Sequence, residues 1–250
     1  METSYSFHFL DKAVFSSYEN KDFQAKLRKW GFMPHMTLHK FRFDQPFNEY
    51  SPNAFLLDLV NSPEVAAILN SFRNGRKVEN ISEINYFELK CSQTSMDYFN
   101  FLYENDLVHQ NGSIRKVIPE YVEEIEICDK IREALLVEES EEYLIFDSSY
   151  RNEFLFRIFQ HVTIGGGMCQ YEDEVTDYLE VIKGLYKDLV AVTKDNESGE
   201  LKVQSKVFQI LAGEQFAVFN NPHIQDFCYV IIDPSYRHVN IWQHKFTGLW

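Results

Sequence analysis

Three consecutive glycines, Gly165, Gly166 and Gly167, stand between an apolar stretch and the acids Glu172, Asp173 and Glu174 in the segment HVTIGGGMCQYEDE. Residues of these types support three chemistries. Glycine backbone cradles phosphate, clustered carboxylates hold Mg²⁺ or Ca²⁺, and a cysteine near a histidine makes a thiolate nucleophile. Each chemistry needs its own spacing. A P-loop needs lysine and a hydroxyl after the last glycine, whereas Met168, Cys169 and Gln170 follow here. The dinucleotide fingerprint needs a preceding strand and interrupted glycines. Here the glycines are contiguous, the preceding NEFLFRIFQHV has helical periodicity, and three acids would repel a phosphate. An EF-hand loop needs a central glycine among its oxygen ligands, which QYEDEVTDYLE lacks. Cys169 is separated from His161 by about two helical turns. Its acidic neighbours oppose a thiolate, so it reads as a small buried residue.

A structural reading remains. The glycines stop one helix and turn the chain, and Glu172, Asp173 and Glu174 lie in the first turn of the next, where the macrodipole favours negative charge. Gly165 to Gly167 permit positive φ or a close backbone approach, and Gln170 is placed to cap or hydrogen-bond across the turn. The set Gly165, Gly166, Gly167, Cys169, Gln170, Tyr171, Glu172 and Asp173 is therefore read as a structural turn whose exposed polar side contacts a partner. The competing reading makes a pocket around Gly165–Gly167 the site of a ligand- or metal-binding enzyme or sensor.

Other candidates carry less. His35 and His39 are four apart, but HMTLHKFRF alternates like a strand and has no intervening glutamate for a zinc helix. His238 and His244 share a strand face with Asn240 and Trp242, a pattern typical of a half-buried polar strip. EYVEEIEICDK and VEESEEYLIF read as solvated acidic faces, and no G-x-S-x-G elbow occurs. No catalytic residue, cofactor site or metal site is assigned.

The elements that must position the turn follow from periodicity. SYSFHFL alternates, with Tyr5, Phe7 and Phe9 on one side. ENKDFQAKLRKWG reads as a helix with Phe23, Leu27 and Trp30 on one stripe and Gly31 as its stop. Ser51-Pro52 and Ser62-Pro63 each read as a cap and a first helical residue. RNGRKVEN reads as a turn, INYFELKCS as a strand, and SMDYFNFLYEND as a helix capped by Ser95. IPEYVEEIEICDKIREALL is ambiguous at first and helical later. NEFLFRIFQHV and EDEVTDYLEVIKGLYKDL read as helices, the second with Val175, Leu179, Ile182 and Leu185 on its apolar stripe. VAVTKD with ELKVQSKVFQIL, and FCYVIIDP with RHVNIWQHKF, read as two β-hairpins. The expected class is α+β, with helices on a mixed or antiparallel sheet and C-terminal β-hairpins. Residues 1–250 read as a single compact domain, with a weak subdivision near 110.

Composition limits the partners. The 250 residues carry a formal net charge of −14, and no basic run is interleaved with aromatics. That opposes nucleic acid and anionic membranes and suits a basic protein partner. The four cysteines form no Cys-x-x-Cys pair. METSYSFHFLDK lacks a basic start with an apolar run, so an intracellular protein with reduced thiols is expected. No stretch approaches the roughly 18 apolar residues of a membrane span. The 22 Phe and 14 Tyr are read as core.

Eight segments carry a family resemblance: SFHFLD near the start, KWG (Lys29 to Gly31), FDQPF (Phe43 to Phe47), IRK (Ile114 to Lys116), NEFLFRIF (Asn152 to Phe159), CQYED (Cys169 to Asp173), YKDLV (Tyr186 to Val190) and IIDPSYRHV (Ile231 to Val239). In this order, over nearly the whole chain, they resemble the cilia- and flagella-associated protein 300 family. The resemblance implies a non-enzymatic factor of the cytoplasm and of the motile cilium or flagellum, including the axoneme. It implies a role in assembling or transporting axonemal dynein arms, required for ciliary motility. The implied partners are other dynein axonemal assembly factors, dynein arm components or the intraflagellar transport machinery. Two departures stand out. Gly167 replaces an alanine of the family pattern, which implies a looser turn. The segment between Leu211 and Phe227 is shorter, so contacts there are not carried over.

Overall fold

A computed structural model describes residues 4–71, 81–211 and 223–247. The turn read in RNGRKVEN, and the shortened segment after Leu211 as far as residue 222, lie outside the described residues. The first half contains β1 (Phe7–Phe9), α1 (Lys21–Lys29), β2 (Met36–Phe43), α2 (Pro52–Asn61), α3 (Pro63–Ser71), β3 (Tyr86–Leu89) and α4 (Phe101–Glu104). Next come β4 (Lys116–Val122), β5 (Ile125–Asp129), α5 (Lys130–Leu136), α6 (Ser148–Arg151), α7 (Phe154–Ile164) and α8 (Val175–Leu189). The chain ends in β6 (Val192–Lys194), β7 (Leu201–Val203), β8 (Lys206–Ile210), β9 (Phe227–Asp233) and β10 (His238–His244).

The main sheet has the order β1-β2-β10-β9-β8-β3, and every neighbouring pair is antiparallel. This is the expected α+β class, with the C-terminal hairpin β9–β10 at the centre of the sheet. Residues 227–232 of β9 are all buried, because helices cover both faces. Successive side chains of a strand point to opposite faces. Accordingly Cys228, Val230 and Ile232 join Phe55, Leu56 and Leu59 of α2 in one apolar cluster. Phe227, Tyr229 and Ile231 join Leu27, Phe154, Ile158, Val162 and Ile182 in the other. The aromatic excess goes largely into these two layers. Phe55, for example, sits edge-on to Tyr5, Phe7, Phe43 and Phe47 with centroids 4.8–5.2 Å apart.

Several local readings change. Phe9 lies on the same face as Phe7, opposite Phe41, but at its rim: it is 43% exposed and leans on His39 and Phe41. Ser51 makes no side-chain capping bond, so Pro52 alone starts α2. Ser95 does cap, but a 3-10 turn (Met96–Asn100) precedes the short α4. The ambiguous EYVEEIEIC is the β4–β5 hairpin, whose first strand has no buried residue to show as alternation. In the hairpin expected after α8, β6 pairs only with β7. β8 leaves for the main sheet after Ser205, whose hydroxyl accepts from the Ala191 N–H at 2.9 Å. On α8 the buried stripe is Val175, Tyr178, Ile182 and Leu185, with Leu179 half-exposed. Spacings of three, four and three keep these residues on one side of the helix.

Candidate functional site: a glycine junction beside a cleft

The glycine turn joins the ends of two helices. Asn20 caps α1, and its side-chain oxygen accepts from the Asp22 and Phe23 N–H groups. Trp30 closes α1 and Gly31 follows with φ 74. α7 ends where Gly165 takes φ 76, a region that favours glycine. The two ends then dock through main chain. The Gly166 N–H donates to the Trp30 carbonyl at 2.8 Å and the Gln170 N–H to the Lys29 carbonyl at 3.0 Å. Gly166 and Gly31 face each other without side chains: a Cβ on Gly166 would stand 2.7 Å from the Gly31 carbonyl carbon. Gly166 thus serves close approach rather than strained φ. Gly167 is different, because a Cβ there would meet Phe246 and Thr247 at an ordinary 3.4 Å. An alanine side chain would fit that position.

A third element clamps the turn. Gln225, buried just before β9, donates from Nε2 to the Gly165 carbonyl at 2.9 Å and the Gly166 carbonyl at 2.8 Å. His244, at the end of β10, bonds the Gln225 carbonyl through Nδ1 at 2.8 Å. Burial pushes the His244 imidazole down to about 4, against the Gln225 contact that favours its charge. It is neutral at physiological pH.

The acids do not occupy the first turn of α8. They precede it, because Val175 is its first residue, and two of the three find distant partners. Glu172 accepts from Lys29 Nζ at 2.7 Å and Trp30 Nε1 at 2.9 Å. Asp173 pairs with Lys116 at 2.6 Å, which holds its carboxyl below the usual range. The Asp173 carbonyl accepts from the Ile114 N–H at 2.8 Å. Glu174 takes the N-cap position without a side-chain bond. KWG, IRK and CQYED, far apart in sequence, therefore meet at one place.

Beneath the turn lies a fully buried ion pair, Asp129–Arg132. Asp129 also accepts from the Arg132 N–H at 2.9 Å as the cap of α5. Arg132 Nη2 donates to the Thr163 carbonyl at 2.6 Å and the Tyr178 hydroxyl at 2.8 Å. That hydroxyl also accepts from the Glu172 N–H at 2.9 Å. The Tyr171 ring covers the guanidinium at 3.5 Å. Burial opposes the Arg132 charge, but Asp129 and the other groups around it together outweigh burial and the pKa is raised. Cys169 is half-buried, and burial pushes its thiol up to about 12 despite Arg132. It is not an activated nucleophile.

The turn forms one wall of an open cleft of about 1120 Å³. Arg28 and Lys29 from the end of α1 and His35 just before β2 line it, as do Tyr121, Glu124 and Glu126 from the β4–β5 hairpin and Lys245 and Phe246 after β10. Of the histidine pairs, His39 lies on β2 and His35 faces the cleft, while His238 stacks on Tyr236 far along β10 from His244. Among the described residues no three His, Cys, Asp or Glu side chains are grouped to hold a metal ion, and no helix is long and apolar enough to cross a membrane. Sequence reasoning missed Gln225 and the Asp129–Arg132 pair, and read His244 only as part of a half-buried polar strip. Only Arg132, a charge on the buried face of α5, left a visible signal.

The fold and this junction define an antiparallel α+β protein in which main-chain docking locks two helices beside a polar cleft. A family model described as Cilia- and flagella-associated protein 300 matches residues 4–244. The chain is similar to proteins of that name from Paramecium tetraurelia, 35% identical over 99% of this chain and 95% of the relative, and from Chlamydomonas reinhardtii, 31% identical over 91% and 92%. No solved structure matches. The chain belongs to the cilia- and flagella-associated protein 300 family, and is thus a cilia- and flagella-associated protein.

Proposed function

We propose that the protein is a non-enzymatic adaptor for the assembly of axonemal dynein arms or their intraflagellar transport, acting in the cytoplasm and the motile cilium. The observation that carries this reading is the family match across residues 4–244. Two features support it. The glycines and two of the acids that sequence alone would offer to chemistry are engaged in holding the turn in place, and burial raises the Cys169 thiol. The net charge of −14 suits protein association rather than polyanion binding. The test is a quantitative pull-down from ciliating cells with mass spectrometry. Enrichment of axonemal dynein chains, their assembly factors or transport-train subunits is expected; a clean preparation without them rejects the reading. Fractionation adds a check, since an assembly factor stays soluble while a fixed component remains with salt-washed axonemes.

The cleft favours a second reading, a small-ligand sensor at the glycine turn, because its size suits an organic ligand. A thermal-shift screen with nucleotides and divalent metals separates the two, since a ligand of the folded state raises Tm.

A further inference from the structure

We infer that the cleft beside the glycine turn is a groove for an extended, acidic segment of a partner protein; this rests on the adaptor reading and names the chemistry of its partner. Three observations lead there. First, half-buried Gly167 gives one wall a stretch of main chain beside Phe246, while Gly166 behind it is buried with its N–H and carbonyl already bonded. Second, apolar side chains stand at the lips. Met168 is held at φ 59, a conformation uncommon for a residue with a side chain, and is 74% exposed; Tyr121 on the hairpin is 69% exposed. Both line the cleft.

Third, the charge runs against the rest of the molecule. In a chain of net −14, Arg28, Lys29, His35 and Lys245 gather in this one cleft. Lys29 is committed to Glu172. Arg28 is not: its guanidinium bonds the Gln24 Oε1 at 3.1 Å, and among the described residues it has no carboxylate partner. Glu124 and Glu126 on the opposite wall exclude a polyanion and orient an entering acid towards the end of α1. A segment with one or two acids beside apolar residues matches this arrangement. A nucleic acid, a phosphate-rich ligand or a basic peptide does not.

The probe is a phage library of random peptides of about 12 residues, selected on the immobilised full chain. Enriched peptides are synthesised with a fluorescent label and measured by anisotropy. Acid–apolar peptides are expected to be enriched. Their Kd should weaken about tenfold in Arg28→Glu and strengthen several-fold in Glu124→Lys, with both variants retaining the wild-type melting curve. No enrichment over blank support overturns the inference. So do enriched peptides that are basic or that bind both variants as they bind wild type. The pull-down from ciliating cells, repeated with Arg28→Glu, keeps the two readings apart. Equal recovery of dynein-arm proteins by wild type and variant rejects the groove and leaves the adaptor standing. Peptide binding as expected, with no such proteins recovered by wild type, rejects the adaptor and leaves the groove.

Discussion

Gly166→Ala and Gly167→Ala add the same methyl group at adjacent positions, and the structure assigns them opposite outcomes. The Gly166 methyl would sit 2.7 Å from the Gly31 carbonyl carbon and closer still to its oxygen. Restoring van der Waals distance requires the two backbones to part by about 1 Å. That separation breaks the Gly166 N–H bond to Trp30 at 2.8 Å and weakens both Gln225 bonds to the turn. A net hydrogen bond contributes about 0.5–1.5 kcal/mol, and three are disturbed. The expected loss is about 2–4 kcal/mol. The Gly167 methyl finds its nearest neighbours at 3.4 Å, with no left-handed φ to forbid it. A less flexible unfolded chain even favours that change slightly, so its effect stays within about 1 kcal/mol. Urea unfolding followed by tryptophan fluorescence gives both values from the midpoint and slope. Equal stabilities for the two variants would refute the close-approach argument, and so would a Gly166→Ala protein as stable as wild type.

Removing one partner of the buried Asp129–Arg132 pair should cost more. Arg132→Met leaves a buried carboxylate without its cation, an expected loss of about 3–5 kcal/mol. The double variant Asp129→Leu/Arg132→Met should regain most of this in the same unfolding assay, less about 1 kcal/mol for the lost cap of α5. Stability should also fall with acid. His244 is held at about 4 in the fold against 6.5 unfolded, so the unfolded chain binds the extra proton between those values. Stability is then full above pH 6.5 and declines towards pH 4, by about 3 kcal/mol from this residue. Buried His161 is lowered as well and acts in the same direction. A His244→Gln variant with an unchanged decline in pH-dependent melting would contradict the assignment. Finally, burial raises the thiols of Cys91, Cys169 and Cys228 to about 12. A disulfide reagent at pH 8 should modify these three only slowly in the native protein and rapidly in denaturant, read by absorbance.

What sequence revealed, and what it hid, divides along physical lines. α7 and α8 were legible because one apolar stripe runs through each, and β10 because Val239 and Ile241 alternate on one side of it. β4 was not, because none of its residues is buried and Pro119 interrupts it, so no apolar alternation shows. Gly31 was readable as a helix stop, since left-handed φ is a local demand. Its second task, admitting Gly166, depends on a residue more than a hundred positions away. The acids were misplaced for the same reason. A carboxylate before a helix looks like dipole compensation until Lys29 and Lys116 arrive from other parts of the chain. Gln225 offered no pattern at all: a single amide outside any periodic element acquires meaning only from the two carbonyls it reaches.

The position of β10 between β2 and β9 has a consequence for how the protein is made. During synthesis, β1 and β2 leave the ribosome early and find no neighbour on their inner side until residues 238–244 emerge. The hydrophobic faces of β2 and β9 must wait, exposed, for a strand translated near the end of the 250 residues. Contacts of such long sequence separation slow folding and lengthen that exposure. A stop codon or frameshift just before residue 238 should therefore act like one near the start of the message. It removes the centre of the sheet rather than its margin, leaving two open edges that invite aggregation. A chain ending at residue 237 is expected in the insoluble fraction when expressed, and a soluble, cooperatively melting product would show that the sheet assembles without its central strand.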